Sequence, residues 1–245
     1  MILKKITHMK KILLFLILLN ITGLSAQNKI APDYNAIKES ISNENSPYFY
    51  SDLLQKYFSE NNTLTLEEKR HLYYGFIFQS WYNPNKTTLE EKEIRKIVKK
   101  RFITKIEYRD IIQLANIVLK TNPFNTYALQ WKTIALFKLD QSNSVEYDKT
   151  TTQYNIIMDA ILSSGNGRTK ESAYWVIAVQ HEYELLSYLD YNPSGQEEMQ
   201  VGEQYYDYIT LAENGDNITG FYFEITPAHR HLKEMLEQQK KKKRR

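Results

Sequence analysis

The chain has 245 residues, apolar and charged fractions of 42% and 25%, and no cysteine. This length can bury a real core in one domain or two small ones. The missing thiols exclude disulfides, thiolate metal sites, a cysteine nucleophile and the cysteine anchor of a lipoprotein. The net charge of +3 sums unlike parts: removing the four leader lysines and the six cations of the closing KKKKRR leaves −7 for Gln27–Gln239. A mildly acidic body argues against a nucleic-acid surface, so no nucleic-acid partner is expected.

From Met9 the chain reads MKKILLFLILLNITGLSAQ. Two lysines, an unbroken apolar run from Ile12 to Leu19 and the small pair Ser25-Ala26 form a three-part secretory signal, with cleavage expected before Gln27. The run is too short to span a bilayer. Met9 is a more natural start for this signal than Met1. The expected layout is a signal peptide over residues 1–26, one globular domain over 27–239 and a basic tail over 240–245. The mature protein is then exported to the periplasm or beyond, with no membrane span.

Helices come first. Thr65-Leu66-Glu67-Glu68 has capping-box spacing, and Leu66, Leu72, Tyr73, Phe76 and Ile77 follow as an apolar stripe. Thr88-Leu89-Glu90-Glu91 repeats the start signal ahead of Ile94, Ile97, Val98 and Phe102. Between them Trp81-Tyr82-Asn83-Pro84-Asn85 reads as an aromatic loop closed by turn residues. Asp110 to Lys120 is a third helix, apolar nearly all round and so expected to be central. It stops at Asn122-Pro123. Helices over about Thr126–Leu139 and Ser144–Leu162 follow, the latter with Tyr147, Tyr154, Met158 and Ile161 inward.

Gly165-Asn166-Gly167 breaks the pattern and reads as a flexible connector. Beyond it Trp175–Val179 reads as a buried strand, with a helix as the alternative. Tyr183, Leu185 and Leu189 alternate with Glu182, Glu184 and Tyr188 as in a half-buried strand. Asn192-Pro193-Ser194-Gly195 reads as a turn. Tyr205–Leu211 and Thr219–Ile225 flank Asn214-Gly215, a hairpin signal. Thr226-Pro227 opens a last helix, with Ala228, Leu232, Met235 and Leu236 inward. The expected fold class is therefore α+β, mostly helical, with a small antiparallel sheet and a C-terminal helix.

Two resemblances add to this. Ala115 to Leu139 resembles the junction of two tetratricopeptide repeats at Ala115, Pro123, Ala128 and Ala135, which implies a partly repeat-like helical part. LYYGFIFQSWYNP (Leu72–Pro84) and GFYFEITPAHRHLKEML (Gly220–Leu236) look like the signature blocks of an uncharacterised bacterial family, domain of unknown function 4919. That family resemblance implies an exported protein and brings no catalytic residue with it.

No catalytic or cofactor motif is legible, so no metal or cofactor is expected. His229 and His231 lie two apart, which points them to different helix faces rather than at one ion. His181 with Glu182 could offer an imidazole and a carboxylate, but a surface strand is the better account of such a lone pair. Paired acids such as Glu67-Glu68 favour the positive ends of helices. The candidate binding residues are Trp81 and Tyr82 on their turn, then His181 and Glu182. The tail could meet anionic lipid or nucleic acid, but a solvated helix end, with cations favoured at its C-terminus, is the better account. The expectation is a non-catalytic binding or scaffolding module of the cell envelope, with another envelope protein as partner. The alternative is a hydrolase whose site is assembled only on folding.

Overall fold

The computed structural model describes residues 30–60 and 63–243. The expected signal peptide, and Arg244 and Arg245 of the basic tail, lie outside these residues.

Helices α1 (Tyr34–Ser42), α2 (Tyr50–Phe58) and α3 (Leu66–Gly75) lead. The Thr65–Glu68 capping box is complete in both directions, which satisfies amides that no helical carbonyl can reach. A 3-10 turn, Phe76–Phe78, ends the run. Then come α4 (Leu89–Val98), α5 (Lys105–Thr121), α6 (Thr126–Lys138) and α7 (Val145–Leu162). In this series α4 packs on α5, α5 on α6 and α6 on α7, while α3 also packs on α7.

The second half holds β1 (Tyr174–Trp175), α8 (Gln180–Tyr188), β2 (Pro193–Val201), β3 (Gln204–Leu211), β4 (Gly220–Glu224) and α9 (Thr226–Lys243). The strand order is β1-β4-β3-β2. The two hairpin pairs are antiparallel, but β1 joins β4 in parallel. The mostly helical α+β class holds, with a mixed sheet in place of a wholly antiparallel one.

One hydrophobic cluster joins α1–α3, α7, α8 and the sheet around Tyr57, Tyr73, Tyr74, Phe124, Ile157 and Phe223. A smaller one joins α4, α5 and α6 around Ile94, Ile111, Ala115 and Ala128, and Leu119 packs against both. Six of the 19 tyrosines are buried and most of the others are half-buried. The Tyr57 hydroxyl donates to Pro123 O at 2.8 Å and that of Tyr74 to Ala160 O at 3.1 Å, so these rings bury a polar tip without stranding it.

Several expectations are corrected. Residues 180–188 are helical, because His181, Leu185 and Leu189 also fit a spacing of four and α8 buries His181, Glu182 and Glu184 instead of exposing them. Trp175 ends a two-residue strand. Pro193 opens β2 rather than sitting in a turn; as the first residue of an edge strand it breaks no ladder bond. The turn of the β3–β4 hairpin is a longer loop in which Asn217, not Asn214 or Gly215, takes positive φ. Phe102 lies past the end of α4 and is exposed, and α5 buries one face only, leaving Ile106 and Ile117 exposed. Leu232 and Leu236 are likewise exposed, since α9 runs beyond the sheet it starts on. Lys240 to Lys243 continue that helix. Gly165–Gly167 is no free connector: Asn166 and Gly167 both donate to Ser172 O, and Gly167 O accepts from Tyr222 N at 2.7 Å. Among the described residues no helix is long and apolar enough to cross a membrane.

Candidate functional site

The loop after the 3-10 turn carries Trp81 and Tyr82. Both rings stand edge-on to Phe76, at 4.9 Å and 5.6 Å between centroids. The Tyr82 hydroxyl donates to Ile177 O at 2.6 Å, which pins the loop to the chain ahead of α8, and burial pushes its pKa well up. Trp81 is held by Phe76 yet remains 38% exposed. A rigid, open indole of this kind has little side-chain entropy left to lose on contact.

A cavity of about 540 Å³ opens beside these rings. Ser80, Asn83, Lys86 and Thr88 line it from the loop; Lys120, Thr121, Asn122 and Asn125 line it from the α5–α6 junction; His231 closes it from α9. His231 meets the Tyr82 ring edge-on at 5.5 Å, so the two blocks that carry the family resemblance touch here. His229 instead stacks on Tyr205 at 3.6 Å, so the two imidazoles serve different partners. The lining is rich in amides and hydroxyls and includes no carboxylate.

The junction is held open by a buried polar knot. Thr88 caps α4, accepting from Glu91 N at 3.1 Å. The reciprocal half of the capping box is missing, because the Glu91 carboxylate turns inward. It accepts from Arg95 at 2.7 Å and from Asn125 Nδ2 at 3.0 Å. Asn125 Oδ1 in turn caps α6 through Ala128 N. One asparagine thus fixes both the helix start and the cavity wall.

His181 and Glu182 lie elsewhere. His181 Nε2 donates to Phe124 O at 2.9 Å, which leaves Nδ1 to accept from the Tyr73 hydroxyl at 2.7 Å. That hydroxyl also accepts from Ile177 N, so one hydrogen-bonded relay to Tyr82 runs through Ile177. Burial lowers the His181 pKa to about 4 despite the Phe124 carbonyl, and the ring is a neutral core strut. Glu182 is fully buried beside Asp207 of β3. Burial first, then the Asp207 carboxylate, pushes the Glu182 pKa well up, and Glu182 carries the proton of the pair. Gln196 donates to Asp207 at 2.7 Å. Glu184 is pushed up to about 7 by burial, against Arg95 and aided by Glu91. None of these three side chains lines the cavities around the aromatic loop.

Those cavities form a band. Trp81 is shared between the first and a second of about 480 Å³. Lys38 and Phe78 are shared between the second and a third of about 420 Å³. Sequence reasoning found the two aromatics. It missed the α5–α6 junction as a wall, although Asn122-Pro123 had marked a turn there. It gave none of the residues of the third cavity as a site.

The family model described as domain of unknown function (DUF4919) matches residues 35–235. The chain belongs to the DUF4919 family. The match spans both the aromatic loop and the part of α9 that meets it. No curated protein and no solved structure matches the chain.

Proposed function

We propose that this DUF4919 protein is an exported, non-catalytic binding module of the cell envelope, and that its contact surface is the cavity beside Trp81. The observation that carries the reading is the exposed but braced indole over an amide- and hydroxyl-rich wall. A pyranose ring stacks its apolar face on such an indole. Its hydroxyls then exchange hydrogen bonds with Asn83, Thr121 and Asn122. Lys86 and Lys120 add a preference for acidic sugars. The ligand class is therefore a hydroxylated, neutral or anionic saccharide of the envelope or its surroundings.

The hydrolase alternative is weaker on placement. The residues it would recruit, His181, Glu182 and Glu184, are buried core groups away from this cavity. The repeat-like character of the helical part is supported by the successive packing of α4 through α7. Export rests on the signal pattern alone.

The test is a panel of immobilised envelope and capsular saccharides probed with the mature protein, run beside a broad hydrolase assay. Saturable retention without turnover is expected. Turnover of any panel member, or no retention on all of them, overturns the reading.

A further inference from the structure

The third cavity has a different chemistry from the first. Tyr34, Phe78 and Trp175 wall it. The Tyr34 ring stands 6.3 Å from that of Phe78 and 6.0 Å from that of Trp175, between centroids. Glu224, the last residue of β4, lines the cavity and is fully buried. Thr226 hydrogen-bonds one of its oxygens, but Oε2 has no protein partner, and neither has the buried hydroxyl of Tyr34. Unpaired polar atoms of this kind are costly unless something fills the space beside them.

Two cations, Lys38 and Arg230, also line the cavity, and both are exposed. Neither reaches the acid. The Lys38 ammonium sits 5.5 Å from the Phe78 ring centroid. Arg230 Nη2 is 3.4 Å from Glu203 O and 3.7 Å from Glu203 Oε2. A simple anion would meet an acid in the depth of this cavity, and a simple cation would meet two like charges at its mouth. A ligand carrying both charges satisfies every group.

We propose that this cavity is a second binding site, for a free α-amino acid with an apolar side chain. Its ammonium group meets Glu224 and Tyr34 in the depth, its carboxylate meets Lys38 and Arg230 at the mouth, and its side chain lies against Phe78 and Trp175. The aromatic faces add attraction for the ammonium. Binding here needs Glu224 ionised. Burial pushes Glu224 up to about 7, against Thr226 and Arg230. The other titratable groups facing it are Tyr34, Tyr74 and Tyr206, all raised by burial above the ordinary value of 10. None of these tyrosines changes charge near neutrality, so affinity rises about tenfold between pH 6 and pH 8 as Glu224 ionises.

Calorimetric titration of the mature protein at pH 8 tests this with three probes of one shape: leucine, 3-methylbutylamine and 4-methylpentanoate. Leucine is expected to bind at least tenfold more tightly than either analogue. Glu224→Gln should weaken leucine at least tenfold. Arg230→Gln, at an exposed position, should weaken leucine without weakening the amine. Equal affinity for leucine and the amine overturns the proposal, as does equal affinity for leucine and the acid. Failure of leucine to bind the intact protein overturns it as well, whatever the saccharide panel shows.

Discussion

Replacing Glu224 by glutamine should flatten part of the pH dependence of folding. The carboxyl is fully buried and raised from its ordinary value of 4.5 to about 7. Below pH 4.5 it is neutral in both folded and unfolded chains. As pH rises from 4.5 the unfolded chain ionises freely while the folded one resists, so stability is lost up to about pH 7. A raise of this size, at about 1.4 kcal/mol per unit, removes about 3 kcal/mol. Glutamine keeps the shape and cannot ionise. The change in the Thr226 contact shifts both ends of its curve alike, so the slope is the quantity to compare. Urea unfolding of the wild-type and Glu224→Gln proteins at half-unit steps from pH 4.5 to 8 measures it. The variant should gain about 3 kcal/mol relative to wild type across that range. Parallel curves would refute a buried, ionisation-resistant Glu224.

His181 acts with the opposite sign. Its folded pKa is lowered from 6.5 to about 4, so its contribution is present above pH 6.5 and lost as pH falls toward 4. Ring nitrogen NMR at pH 5.5 should show a neutral Nε2–H imidazole, and an imidazolium signal there would contradict the strut. Gly167→Ala should cost at least about 2 kcal/mol in chemical denaturation. Its φ is +70° and a Cβ would lie 2.7 Å from the rings of Phe221 and Tyr174; an unchanged midpoint would show that the loop is free. Mass spectrometry of the native protein should find Gln27 at the N-terminus, and a chain starting at Met1 or Met9 would contradict cleavage.

The helices were legible where caps and stripes agreed. Thr65 and Glu68 act as their spacing predicts, and the 3.6-residue period of α4 reflects one-sided burial. Strand β2 was not legible, because an exposed edge strand has no apolar face to produce alternation. For α8, a window of a few residues fits both periods, and carboxylates at positions 182 and 184 argued for an outer face. The neighbours that set their charge state, Asp207 beside Glu182 and Arg95 near Glu184, are distant in sequence. Trp81 and Tyr82 stood out because bulky aromatics beside Asn-Pro-Asn must either fold back or project, and the structure has Tyr82 doing the first and Trp81 the second. The third cavity draws Tyr34, Phe78, Trp175 and Glu224 from four separate segments. No local pattern could have joined them.

Trp81→Ala offers the most direct measurement of the binding surface. The variant should remain cooperatively folded while losing about 1–2 kcal/mol with the Phe76 contact. Its affinity for the best saccharide of the panel, by calorimetry, should fall at least about 30-fold, the loss of roughly 2 kcal/mol typical of an aromatic anchor. An unchanged dissociation constant in a variant that remains folded would remove the cavity beside Trp81 from the function of this protein.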